Sequence, residues 1–397
     1  MIRAEEIQKE LTGTIIPFWQ NLRDNTFGGY YGCMDFDFHV DKEAEKGCIL
    51  NSRILWFFSH AYTLLQKEEL LSEAKHAFLF LKEHCLDEEF GGVFWSVNYK
   101  GEVADSTKHT YNQAFAIYAL SAYYEASKDE KAKEIAEKLF ERIEGTCTDE
   151  YGYLESFNRQ WELEDNDKLS ENGLLADKTM NTLLHVAEAY TELLRVTGDE
   201  EVKNALVKSL SIFIEKVYSE EKGQLEVFFD EKMNTISDLY SYGHDIEASW
   251  LLDRACEVLD TCDLTEEEKE IIAKIHAMTK TLVASILEHA ICEDGAMNNE
   301  CFKGVVDTTR VWWVQAEAML GFYNGYQNTG NQKYYDIVEN LWTYIKKYII
   351  DHREGGEWYW DVDASGTPVS RKNIVEPWKC PYHNGRMCME MIKRLGE

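Results

Sequence analysis

Proline is nearly absent, 4 residues in 397, so few positions break a helix or force a tight turn, and a many-turned β protein is disfavoured. No apolar run approaches the roughly 20 residues that a membrane-spanning helix takes. The opening Met1-Ile2-Arg3-Ala4-Glu5-Glu6 is acidic and lacks the apolar stretch of a secretion signal, so a cytoplasmic location is expected. Positive charge is short as well. The 41 Lys and Arg face 72 Asp and Glu, and the formal charge of −31 makes nucleic acid and anionic membranes poor partners. Ten cysteines are present without one C-x-x-C pair, and Cys85, Cys256 and Cys388 fall in helix-like stretches. Reduced core thiols are therefore expected, not a disulfide or zinc framework. Phosphate-cradling glycine loops and the G-x-S-x-G elbow are missing too. Any chemistry must come from side chains alone, with no cofactor.

Hydrophobic residues make up 45% of the chain, ample for a sizeable core, and 13% are aromatic. A glycine and aromatic element occurs six times: Phe27-Gly28-Gly29-Tyr30-Tyr31, Phe90-Gly91-Gly92-Val93-Phe94-Trp95, Tyr151-Gly152-Tyr153-Leu154, Lys222-Gly223-Gln224-Leu225, Asp294-Gly295-Ala296-Met297 and Glu354-Gly355-Gly356-Glu357-Trp358-Tyr359-Trp360. Its first glycines stand 63, 61, 71, 72 and 60 residues apart, long enough for two helices and a loop. Between them apolar residues recur at helical spacing. Ile54, Phe57, Phe58, Tyr62 and Leu65 form one stripe, and Leu70, Ala74, Ala77, Phe78 and Leu81 the next. Such pairs continue through Trp312–Tyr326 and Tyr334–Ile349, with an opening helix near Ile7–Leu22 and a closing one near Gly385–Leu395. Twelve helices in six repeats predict an all-α fold: a six-hairpin α/α toroid with short β-hairpin loops at one end, and one domain over residues 1–397. The second helix of each pair is rich in charge, as in Lys128–Lys138 and Glu200–Lys208, and is placed outside.

The loops lead into the inner helices, whose starts carry Asn51-Ser52-Arg53, His109-Thr110-Tyr111-Asn112-Gln113, Asn181-Thr182-Leu183-Leu184-His185, His244-Asp245-Ile246-Glu247, Arg310-Val311-Trp312-Trp313 and His383-Asn384-Gly385-Arg386. In a toroid these converge on one axis. Arginine, histidines, a glutamate and tryptophans together suit a sugar, whose ring faces stack on aromatics while its hydroxyls take forked hydrogen bonds. His244 and Glu247 share a helix face, so the carboxylate can hold the imidazole, and His185 and Glu188 repeat that spacing. A metal would want more carboxylates or a tighter cluster, so none is expected. Arg53 stands amid strongly apolar neighbours, a costly place unless it points into a polar cavity or pairs with a structural carboxylate. Of the adjacent Trp312 and Trp313, at most one can point fully inward. Trp95 and Trp360 can stack sugars or brace loops. His39, His60, His76, His84, His276, His289 and His352 lie outside the convergent set and read as structural or solvated.

Over essentially its whole length the chain resembles the N-acylglucosamine 2-epimerase superfamily, and within it the branch acting on β-1,4-linked disaccharides. The pieces that carry the resemblance are Asn51-Ser52-Arg53-Ile54-Leu55-Trp56, Asn181-Thr182 with His185, Gly243-His244-Asp245 with Glu247-Ala248-Ser249-Trp250, and Trp378-Lys379-Cys380-Pro381-Tyr382-His383-Asn384-Gly385-Arg386. The resemblance implies a six-hairpin barrel and reversible, cofactor-free epimerisation at C2 of the reducing-end glucose of substrates such as cellobiose and lactose. It implies His244 and His383 as the acid/base pair on opposite sides of C2, with Arg53 at the enediolate oxygens. His185 and Asn181 would assist binding, Glu247 would orient His244 or hold substrate, Tyr111 and Trp313 would touch the sugar, and Trp378 would stack on it. No role attaches to His109 or Leu184. A disaccharide is the expected partner and a monomer the expected state.

An N-acylglucosamine 2-epimerase or an aldose–ketose isomerase on the same fold is the nearest alternative. An inverting glycosidase would need two carboxyls about 6.5–9.5 Å apart across a cleft, and Glu247 has no evident second. A non-catalytic sugar-binding protein would explain the aromatics but not the convergent histidines and arginine.

Overall fold

A computed structural model describes residues 2–169, 174–369 and 371–396. The first rod, α1 (Ala4–Glu10), passes through a π-turn at Leu11–Ile15 into α2 (Ile16–Gln20). There follow α3 (Cys48–Leu65), α4 (Glu68–Phe80), α5 (Thr110–Ser127), α6 (Glu130–Thr146), α7 (Met180–Thr197), α8 (Glu200–Ile212), α9 (Tyr242–Leu259), α10 (Glu266–His289), α11 (Trp312–Thr329), α12 (Gln332–Tyr344) and α13 (Tyr382–Gly396). With α1 and α2 taken as one rod, the described residues hold the twelve expected helices. Inner helices α3, α5, α7, α9, α11 and α13 pack each on the next, and α13 packs back on α3, which closes the ring. Each of α4, α6, α8, α10 and α12 lies on the inner helix before it, while α1 covers α13, so the two ends of the chain build the sixth hairpin.

Sequence decides which helix goes inside. α5 is buried at every position from Thr110 to Tyr123, as a helix surrounded by neighbours must be. In α6 only Ala132, Ile135, Ala136, Leu139, Phe140 and Ile143 are buried, a single stripe at helical spacing. The turns between partners are short for a local reason. Lys128, Gly198 and Gly330 take the left-handed conformation that ends an inner helix, and the next residue, Asp129, Asp199 or Asn331, caps the outer one with its side chain.

At the other end each outer helix runs into one of the six glycine turns. Pairing across them joins Arg23 to Tyr30, Leu86 to Val93, Thr148 to Tyr153, Ser219 to Gln224, Ile291 to Met297 and Ile350 to Trp358. Gly28 and Gly91 have φ of 80° and 75°, the region that L side chains rarely adopt. An ion pair with a buried lysine then fixes three of these turns to the following helix. Lys46, Lys108 and Lys178 each stand two residues before an inner helix, and each binds the aspartate of the preceding turn, Asp24 at 2.6 Å, Asp87 at 3.1 Å and Asp149 at 2.7 Å. Lys46 and Lys108 also donate to turn carbonyls, so the buried ammonium is hydrogen-bonded on more than one side.

A second series of hairpins escapes the glycine pattern. Asp35, Asn98, Asn158, Asp230 and Asp363 open turns in which the side chain accepts backbone N–H groups two and four residues on. The residue three places later has positive φ in every case, yet it is glycine only at Gly101 and Gly366; elsewhere it is Phe38, Trp161 or Met233.

Candidate active site

The inner helices start in register, and that register builds the site. The sixth residue of α3, α7, α9 and α11 is Arg53, His185, Glu247 and Glu317, and all four meet on the axis with residues from the first turn of α13. The fourth residues do something else. Asn51, Gln113, Asp245 and Gln315 turn outward and accept the backbone N–H of Tyr30, Val93, Leu225 and Met297, clamping a glycine turn against each helix. Asn51, Gln113 and Asp245, members of the convergent set expected from the sequence, therefore brace loops. His109, another member, is buried under Trp95 and bonded to Ser156.

A cavity of about 290 Å³ opens at this end. Arg53, Tyr111, Asn181, His185, His244 and Glu247 line it, as do Trp313, Trp378 and His383, so all nine residues singled out from the sequence face one space. Trp312 and Trp360 line it too, Trp312 buried and Trp313 partly exposed. Trp313 lies against His244 and His383, while Trp312 lies against Trp360, so both indoles reach the cavity from neighbouring positions. Lys168 and Leu169, from the long loop before α7, complete the wall.

Arg53 is buried, and among the described residues no carboxylate pairs with it. Its guanidinium donates to Tyr111 Oη at 2.9 Å and reaches Cys380 Sγ, while Phe115 lies 4.1 Å and Tyr382 5.0 Å from its centre. Stacking on aromatics holds the charge in place without neutralising it.

Arg386 is the opposite case. It donates to Glu188, to Glu247 at 2.5 Å and to Glu317 at 2.7 Å, so three carboxylates from α7, α9 and α11 converge on one guanidinium. Glu188 also accepts from His185 Nδ1 at 2.8 Å and from Tyr382 Oη. Glu317 accepts from Trp250 Nε1 at 2.9 Å and from His383 Nδ1 at 2.8 Å. The expected His185–Glu188 pair is present. The expected His244–Glu247 pair is not: His244 Nδ1 meets Ser241 Oγ at 2.7 Å, because Glu247 is drawn to Arg386.

Burial would raise the Glu188 carboxyl, yet Arg386 and then His185 hold it at about 2. Burial pushes His244 down to about 3, and it lowers His383 well below the ordinary imidazole range, with Arg386 and Arg53 adding to the effect. Both shifts favour the neutral imidazole. With Nδ1 of His383 donating to a carboxylate, its Nε2 is left as a lone pair. Glu247 moves the other way, up to about 8, through burial and Glu317.

The sequence reading missed Glu317 and gave Arg386 no role. Counting six residues into each inner helix would have found Glu317, since α11 starts in step with α9.

The sequence profile of the N-acylglucosamine 2-epimerase (GlcNAc 2-epimerase) family matches residues 29–384, and the chain belongs to that family. Among its relatives, the cellobiose 2-epimerase of Ruminococcus albus is 53% identical over 98% of each chain. The cellobiose 2-epimerase of Eubacterium cellulosolvens is 48% identical over 99% of this chain and 98% of its own. The solved structure of cellobiose 2-epimerase from Bacillus thermoamylovorans B4167 superposes with a TM-score of 0.94 at 46% identity, covering 98% of this chain and 99% of that one.

Proposed function

We propose that the protein reversibly epimerises C2 of the reducing-end glucose of β-1,4-linked disaccharides, interconverting cellobiose with glucosyl-mannose and lactose with epilactose. The carrying observation is Arg53, with no carboxylate on it among the described residues, in the same cavity as two histidines from helices that are not adjacent in the ring. One histidine takes the C2 proton of the ring-opened sugar, Arg53 holds the negative charge on the enediolate oxygens, and the other histidine returns a proton to the opposite face. His244 and His383 fill these two roles, with His185 and Asn181 binding the sugar. Trp378, Trp313 and Tyr111 supply flat faces for it. A monomeric, cytoplasmic and cofactor-independent enzyme is part of the same proposal.

The relatives' names support the disaccharide, and the geometry disfavours hydrolysis. An inverting glycosidase needs its carboxyls across a cleft with room for water, whereas Glu247 and Glu317 grip one guanidinium from the same side. Glu247, Glu317 and His383 also bring potential metal-ligand atoms within 4.8 Å of one another, but the Arg386 guanidinium donates to both carboxylates there. Activity should accordingly survive prolonged chelation. The deciding experiment is incubation of the pure protein with cellobiose, lactose, mannose and N-acetylmannosamine, with the products resolved. Turnover of mannose or N-acetylmannosamine but of neither disaccharide would overturn the proposal.

A further inference from the structure

We infer that Glu247 enters the reaction as a neutral carboxylic acid, and that its Oε2 presents a hydrogen-bond donor to a sugar oxygen at the cavity floor. The inference rests on the proposed reaction for the identity of that oxygen, and on geometry for the proton. Three carboxylates meet one guanidinium in a buried cluster, so keeping all three ionised leaves negative charge uncompensated in a region of low dielectric. The proton belongs on the carboxylate that receives the fewest donors. Glu188 receives His185, Tyr382 and Arg386; Glu317 receives Trp250, His383 and Arg386. Among the described residues Glu247 receives Arg386 alone, on Oε1, and its buried Oε2 has no partner.

The groups around Glu247 leave it few ways to keep a charge. From α13 it faces Arg386, His383 at 3.8 Å and Tyr382; from α11, Glu317; from α7, Glu188 and His185. Tyr111 on α5, Arg53 on α3 and His244 on its own helix share the cavity. Two of these neighbours are carboxyl groups, Glu188 held low by Arg386 and Glu317 pushed up by burial, and Arg386 is already divided among three acceptors. A carboxyl kept protonated by its surroundings can donate to an oxyanion at neutral pH, where an ionised one would repel it. Glu247 lies one turn along α9 from His244, so its proton is offered beside the carbon that the imidazole addresses, complementing Arg53 at the enediolate.

Two measurements test this. Infrared difference spectra of wild type against Glu247→Gln, recorded without substrate at neutral pH, should contain the carbonyl stretch of a protonated carboxyl, shifted in D₂O and lost as the pH rises through about 8. In kinetics on cellobiose, Glu247→Gln keeps a neutral donor of the same shape and should retain kcat/KM within about tenfold, while Glu247→Ala should lose about 10²–10³-fold. The alkaline limb of the wild-type pH profile should be absent from Glu247→Gln, a change that a merely structural role would not produce. Absence of the protonated-carboxyl band, or a Gln variant as impaired as the Ala variant, would overturn the inference. A wild type that leaves cellobiose unchanged would defeat the functional proposal instead, and the substrate-free spectrum would still decide the state of Glu247.

Discussion

The barrel axis has two ends, and both hold a cavity. At the helix N-termini the space is about 290 Å³; at the C-termini it is about 120 Å³, lined by Trp56, His60, Glu125, Glu192, Arg195 and Lys393 among others. Both are polar and both contain arginine and glutamate. They differ in how charge is spent. At the back Arg195 takes Glu125 at 2.6 Å through two nitrogens and Glu192 at 2.7 Å, and Lys393 takes Glu390 at 3.0 Å. At the front, among the described residues, the charged Arg53 has no carboxylate and Glu247 Oε2 no partner, whereas neutral polar atoms without a partner occur at both ends, Asn181 Oδ1 and Trp312 Nε1 at the front and Trp56 Nε1 and His60 Nε2 at the back. Charges that satisfy one another hold a fold together, whereas groups left facing a cavity are available to a ligand. Arg386, Glu188 and Trp250 form the partition between the two spaces.

The largest effect expected from breaking this contrast is at the front histidines. His244→Asn and His383→Asn should each lower kcat on cellobiose by about 10²–10⁴-fold, with circular dichroism unchanged. In D₂O the wild type should place deuterium at C2 of the epimer and none at C3, since the proton taken by one imidazole is not the one returned by the other. Quantitative retention of the C2 proton would require a one-base or hydride mechanism.

Next in size is the partition. Arg386→Met strands three buried carboxylates and should cost about 3–5 kcal/mol in denaturant unfolding. The pH dependence has a definite sign. Glu188 is held at about 2, below its usual value of 4.5, so its contribution is complete above pH 4.5 and fades as the pH falls toward 2. The penalty of the Met variant should therefore be largest above pH 4.5 and shrink as the pH falls toward 2, where a protonated Glu188 no longer draws on the guanidinium; a penalty that does not change with pH would show that Arg386 does not hold this carboxylate.

How much of this was legible beforehand depends on the kind of signal. The six glycine turns and paired stripes gave the toroid, because periodicity survives without knowledge of contacts. Eight of the nine expected site residues converge because helices in register bring like offsets, the second or third residue and the sixth, to like depths, while Trp378 comes from the loop before α13. The partners were illegible. Glu247 is three residues from His244 and on the same face, yet it answers to Arg386, which is 139 residues away in sequence and nearby only once the ring closes. Asn51, Gln113 and Asp245 look like pocket residues by type, and a rotation of the helix that no composition records turns them to the loops. The second hairpin series was hidden because its positive-φ position is filled by phenylalanine, tryptophan and methionine as well as glycine.

A smaller effect is expected at Trp378, whose ring lies 6.0 Å from those of Trp95 and Tyr111 at the cavity wall. Trp378→Ala should reduce kcat/KM on cellobiose by about tenfold, mostly through KM, as loss of one stacking face implies. An unchanged kcat/KM with a lowered Tm would make the indole a loop brace.

The smallest effect sharpens the comparison from the other side. Glu125 and Arg195 are each about a quarter exposed, with side-chain accessibilities of 25%, so solvent screens the pair and its worth is near that of a surface bridge, about 1 kcal/mol. Glu125→Gln keeps the shape and one acceptor while removing the charge, and Arg195 retains Glu192. Thermal unfolding should fall by roughly 1–2 °C, and kcat and KM on cellobiose should both stay at wild-type values. The pair sits behind the Arg386 partition and touches no group that faces the sugar, so stability is the only property it can change. A fall in kcat without a fall in Tm would mean that the back cavity communicates with the histidines through Glu188, and the division of labour between the two ends of the axis would have to be given up.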